Sequence, residues 1–236
     1  MSRLVSPVAY ELINTLALLL VVQFSSGSQG NACGPTSLAN GLSRLGIRSD
    51  PQTVARNIYV APDGVSLSDL NVRAAELAGS SLLVTLDDRA IGRAVMQRLP
   101  MIIAVRREEK AHLVLVIEAD QLKTTYIDPA SGQPVTRTSA ALTAERTLNG
   151  LGIVFGPPDR IAAYATPTQL AEDRRNRAMS LVKQASEHKT ANAQMLMLLG
   201  DAVRADPCWR DARGLLALTA RKLGSPEPDG LPACGQ

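Results

Sequence analysis

Three side chains of this 236-residue chain could together do acyl-transfer chemistry: Cys33, His112 and Asp128. Cys33 stands in "QGNACGPTSLANGL" (29–42), directly before Gly-Pro and a helix-like run. The start of a helix, with its macrodipole and unpaired N–H groups, lowers a thiol pKa. A thiolate that attacks a carbonyl also needs an imidazole within hydrogen-bond reach. The chain has two histidines, so the choice is short. His188, in the polar "ASEHKTAN", reads as a solvated surface residue. His112 opens the strand-like "HLVLVIEA", just after the charged "RREEK".

Asp128 enters through the hairpin that follows. If 112–118 and 122–128 pair across a turn centred on Asp120, opposing residues carry numbers that sum to 240, and His112 faces Asp128. Side chains directly opposed have Cβ atoms ~4.5–5.5 Å apart. A carboxylate there accepts the imidazole N–H and fixes its tautomer. A slip of one residue would send the two to opposite faces. The structural reading of each residue is also open: a satisfied strand-end histidine, an ordinary "DPASG" turn, a small buried cysteine at a helix start. The three together, with no spare candidates, favour chemistry. The oxyanion would be held by the backbone N–H at the helix start and one side-chain amide, from Gln29 or Gln23. One histidine near the site and no Cys-x-x-Cys make zinc an unsuitable partner, so no metal or cofactor is expected.

The elements that must position these residues are legible. Residues 34–45 have Pro35 in the first turn, Leu38, Leu42 and Leu45 on one face and Gly46 as stop. Asp50 and Pro51 open a short helix over 50–58, and "YVAPDGV" reads as a loop. Ser66 and Asp69 have capping-box spacing for a helix over 66–79, closed by Gly79; 88–99 is another, closed by Pro100. Short β-branched runs at 80–86, 101–107, 112–119, 122–129 and 152–156 read as strands. Helices followed by an antiparallel sheet make the fold class α+β. The proline-bearing 157–167 reads as a linker. Beyond it, 168–224 is helical, and 225–236 is an irregular tail. "LGDAVRADPCWRDARGLLALTARKLG" has the small-residue spacing of a tetratricopeptide-like unit, which must bury its open face on the first domain, a partner or another copy.

Arg3, an apolar run from about Leu12 to Val22 and small residues after it predict a signal peptide or membrane anchor over 1–26. The apolar run falls short of the ~20 residues of a transmembrane span. Export to the periplasm or the membrane surface is the expectation, with a cytoplasmic protein as the alternative. Cys208 and Cys234 could pair in such an oxidising compartment, leaving Cys33 as the reduced thiol. A net charge of +3 with scattered Lys and Arg gives no basic stripe for nucleic acid.

"NACGPTSLANGLSRLG" resembles the nucleophile helix of the double-glycine (bacteriocin-leader) peptidases, a papain-like group, and "HLVLVIEADQLKTTYIDPASG" resembles that family's hairpin. The resemblance covers roughly 23–156, with its motifs in the family's order and 79 and 16 residues apart. It implies a papain-like fold over 27–156, with Cys33 as nucleophile, His112 as general base and Asp128 as orienting acid. The implied reaction is cleavage of a peptide or protein after small residues such as Gly-Gly or Gly-Ala. Where the family usually has its oxyanion glutamine, six residues before the cysteine, this chain has Gly27. The helical region is similar to that of a bacterial, exported subgroup with tetratricopeptide-like tails. The chain has no G-x-x-x-x-G-K-[ST], so the stand-alone form is expected. Two other readings stand beside hydrolysis: a peptidase-like module that binds peptide without cutting it, and a peptidyl transferase on the same triad.

Overall fold

The computed structural model describes residues 32–234 apart from 57, 59, 62, 63 and 109. The expectations for residues 1–26, Gln23 and Gln29 lie outside the described residues. The chain divides between Asp173 and Arg174 into two compact units.

The unit ending at Asp173 starts with helix α1 (Cys33–Arg44). Helix α2 (Pro51–Ala55) follows, capped by Asp50, whose side chain accepts from Thr53 N–H. A two-residue ladder, β1 (Val60–Ala61) and β2 (Gly64–Val65), lies where a plain loop was expected. Helix α3 (Leu67–Ala78) is capped by Ser66, tied to Asp69 as their spacing suggested: Ser66 Oγ accepts from Asp69 N–H at 3.0 Å and donates to Asp69 Oδ2 at 2.8 Å. Gly79 ends it in the left-handed region at φ 95°, where a Cβ would be strained.

Then come β3 (Ser80–Thr85), α4 (Asp88–Met96), β4 (Met101–Arg107), β5 (Lys110–Ala119), β6 (Lys123–Ile127), β7 (Pro134–Thr138), α5 (Ser139–Glu145), β8 (Leu151–Gly156) and α6 (Pro158–Tyr164). The strands form one antiparallel sheet in the order β3-β8-β4-β5-β6-β7. With the helices packed on it, this is the α+β architecture the sequence implied. Strand β7 and helix α5 are additions. "PVTRT" alternates only between exposed and half-buried positions, so it carries no apolar signal and is a strand through its pairing to β6.

Apolar residues of β3, β4, β5 and β8 form one core with Ile91, Leu142, Ile161 and Tyr164. The last two correct the linker reading of 157–167. The prolines there start a helix rather than break one: Pro158 takes the first helical position, where a missing N–H costs nothing. The outer edge of β3 is covered by side chains. Leu83 N–H donates to Asp173 Oδ1 at 2.7 Å, and Thr85 N–H to Glu172 Oε1 at 2.7 Å. Unpaired edge donors are thereby satisfied without another strand.

The unit boundary falls inside α7 (Pro167–Ser186), so the helical region does not start cleanly at 168. From Arg174 on, Ala178 and Val182 of α7 pack with Leu199 and Val203 of α8 (Ala193–Ala205), with Trp209, and with Leu216 of α9 (Arg210–Leu223). Cys208 and Cys234 are disulfide-bonded. No helix among the described residues is long and apolar enough to cross a membrane.

Candidate active site

Helix α1 is set against β5 by its smallest residues. A Cβ on Gly34 would come within 3.2 Å of Leu113 Cδ1 and one on Gly41 within 3.2 Å of Leu115 Cδ1, both of β5, and each would clash at 2.4 Å with a further side chain, Val65 of β2 and Phe155 of β8 respectively. Ser37 Oγ donates to the Leu113 carbonyl at 3.0 Å, tying the helix to the strand one residue beyond His112. Cys33 is the first residue of α1, reduced and 5% exposed. Pro35 has no N–H, and the first intrahelical bond runs from Thr36 N–H to the Ala32 carbonyl. The N–H groups of Cys33 and Gly34 therefore lie in the turn where helix donors have no intrahelical acceptor.

His112 lies in β5 opposite Val105 of β4 and is 2% exposed. Its Nε2 lies 2.9 Å from Asp128 Oδ1. The contact forms although the hairpin register differs from the expected one. Leu115 pairs with Ile127 and Val116 with Tyr126, two residues from the expected partners, and a bulge between Val116 and Glu118 shifts the rest by one more. The turn is wider because Asp120 Oδ1 accepts from both Leu122 and Lys123 N–H. A displacement of two residues preserves the face of every side chain. His112 and Asp128 thus become diagonal instead of direct neighbours, still within side-chain reach.

Asp128 follows the last residue of β6. Its backbone is held by Gly132 N–H to its carbonyl at 2.7 Å and by its own N–H to the Gln133 carbonyl at 3.1 Å. Oδ1 also accepts from Ala130 N–H at 2.8 Å, and Oδ2 accepts from Arg107 Nη1 at 2.6 Å. Burial alone pushes this carboxyl up. The His112 hydrogen bond, the Ala130 N–H and the His112 and Arg107 charges outweigh it, and the group ends below its usual range. It is a carboxylate at neutral pH, and a carboxylate only accepts. The proton on Nε2 therefore belongs to histidine, and Nδ1 is the nitrogen left to take up or release one.

Nδ1 is buried and has no nitrogen or oxygen partner among the described residues. Hydrogen bonding with the Cys33 side chain is the largest influence raising the His112 pKa. Burial opposes it and Asp128 reinforces it. The structure thus brings Cys33, His112 and Asp128 together. His188 belongs to the helical unit, where its Nδ1 lies 3.3 Å from Asn192 Nδ2. Arg107 was not anticipated. Its signal was its place in "RREEK": hairpin pairing of Arg107 with Lys110 and Val105 with His112 puts it on the face of His112. Among the described residues no three His, Cys, Asp or Glu side chains gather as a metal site requires.

The model of the Peptidase C39 family matches residues 22–142. Among solved structures, the chain is similar to the peptidase domain of Streptococcus ComA, a bifunctional ABC transporter involved in a quorum-sensing pathway. Identity is 16% and the TM-score 0.48, over 58% of this chain and 98% of that one. No curated protein matches the chain.

Proposed function

The chain belongs to the Peptidase C39 family, and on that premise we propose that it is a cysteine peptidase with Cys33 as nucleophile, His112 as general base and Asp128 as orienting acid. The observation that carries this reading is the His112 ring, held through Nε2 by an ionised Asp128 and protonated more readily because of Cys33. The Cys33 proton passes to Nδ1, and Sγ attacks the carbonyl carbon of the scissile bond. A backbone N–H at the start of α1, with a side-chain amide, would hold the oxyanion that forms. As the C–N bond breaks, Nδ1–H protonates the leaving amine and a thioester remains. Water, giving its proton to Nδ1, then hydrolyses the thioester.

The resemblance to double-glycine peptidases implies small residues, Gly-Gly or Gly-Ala, before the cleaved bond, and a peptide or protein as substrate. The apolar stretch before residue 27 supports an exported protein, and the C-terminal helices offer a second surface for a protein partner. The test is a peptide aldehyde ending in Gly-Gly. The expected result is a reversible hemithioacetal on Cys33, seen by intact mass and absent in Cys33→Ala. No adduct, with none on an aldehyde ending in Gly-Ala, counts against the reading.

A further inference from the structure

The triad uses one oxygen of Asp128, and a residue with no part in the triad occupies the other. Arg107 reaches Oδ2 from the end of β4, while His112 reaches Oδ1 from the neighbouring β5. Arg107, His112 and Asp128 therefore line up across β4, β5 and the end of β6, three adjacent strands. We propose that Arg107 is a positioning residue of the site, holding the Asp128 carboxylate by the oxygen His112 does not use and so fixing the plane in which Oδ1 meets Nε2. This rests on the reading of Cys33, His112 and Asp128 as a triad.

The geometry carries the assignment. The Asp128 backbone is fixed by its turn, but its carboxylate can still rotate about Cβ–Cγ. Both other donors, His112 Nε2 and Ala130 N–H, converge on Oδ1. Among the described residues only Arg107 engages Oδ2, by a charge-assisted bond. The Asp128 side chain is 14% exposed and that of Arg107 39%, so the pair is partly shielded, unlike a rim ion pair that salt screens away. The groups acting on Asp128 are His112 and Arg107, with Tyr126 beside them and Cys33 behind the imidazole. Of these, Arg107 is the one whose planar guanidinium can grip a carboxylate oxygen.

The experiment is the rate of iodoacetamide alkylation at Cys33, read by mass spectrometry from pH 4 to 8.5. It compares wild type, Arg107→Met, Arg107→Lys, Asp128→Asn and the Arg107→Met, Asp128→Asn double variant. Urea midpoints are measured alongside, so that a folding defect is separated from a site defect. Without its cationic neighbour, Asp128 protonates at higher pH. The acid limb of Arg107→Met should therefore move to higher pH, and the rate at pH 5 should fall about 3- to 30-fold. Arg107→Lys should recover part of the loss, through charge without the planar fork. In the Asp128→Asn background, Arg107→Met should lower the rate no further. A profile for Arg107→Met that overlays wild type, or an equal loss in both backgrounds, overturns the proposal. A wild-type profile with no acid-side thiolate at all would instead sink the triad reading on which it rests.

Discussion

Asp128 takes donors on both carboxylate oxygens, and this limits what can replace it. Asn at 128 can still accept from Nε2 through Oδ1, but its amide then turns two N–H groups toward Arg107 Nη1, where Oδ2 now accepts. We predict that Asp128→Asn loses about 10- to 100-fold in activity, whereas Cys33→Ala and His112→Ala lose all that is measurable and keep their melting transitions. The pH dependence of stability has two sides. The Asp128 carboxyl is lowered from 3.8, so its contribution is present above that value and is lost as pH falls through the folded-state pKa. The His112 ring is raised from 6.5, so its contribution is complete below 6.5 and is lost as pH rises through the folded-state pKa. Urea denaturation across pH should show the stability gap between wild type and His112→Ala widest between about pH 4 and 6.5 and narrowing on both sides. The grouping of Cys33, His112 and Asp128 was legible because the chain offers two histidines and one stands at a strand start. Arg107 was harder to see, because its reach to Asp128 depends on the register that puts Val105 opposite His112 across the "RREEK" turn, and side-chain pattern alone does not state that register.

At the scale of elements, helix α1 sits close to the sheet because two of its positions lack a Cβ. Gly41→Ala should destabilise by about 1–3 kcal/mol through overpacking against Phe155. Gly92, inside α4 with nothing within 4 Å of an added Cβ, is the control: Gly92→Ala should stabilise by about 0.5–1 kcal/mol through helix propensity. Thermal and urea unfolding of the two variants checks both signs. Strands 101–107 and 112–119 were readable from runs of apolar and β-branched residues, and α2 and α3 from Asp50 and Ser66 as caps. The hairpin register was misread because Asp120 organises a wider turn and the strand bulges after Val116, neither of which side-chain periodicity reveals. Helix α6 was hidden by the prolines before it, which read equally well as linker or as helix start until Ile161 and Tyr164 are seen in the core.

For the whole molecule, the sequence separated an α+β region from a helical one but placed the change at 157–167, whereas the compact units meet between Asp173 and Arg174. Helix α7 carries Glu172 and Asp173, which serve the β3 edge, and then Ala178 and Val182, which serve the helical core. Periodicity sees one continuous helix there, so the division inside it is invisible to sequence. The helical unit holds the disulfide, which closes a separation of 26 residues, and the chain's one tryptophan, Trp209, buried among the helices. Replacing Cys208 and Cys234 by Ser should lower the stability of that unit by about 3 kcal/mol, read as an earlier unfolding transition in Trp209 fluorescence. The alkylation rate of Cys33 at pH 6 should stay unchanged.

If Cys33 works as a thiolate beside a protonated His112, its reactivity must depend on that imidazole. Iodoacetamide alkylation of Cys33 against pH, in wild type and His112→Ala, tests it most directly. The expected result is fast labelling of wild type well below ~8.5, the ordinary thiol value, and its collapse in His112→Ala. An ordinary thiol profile that His112→Ala leaves unchanged would contradict it and make Cys33 no more than the first residue of a helix.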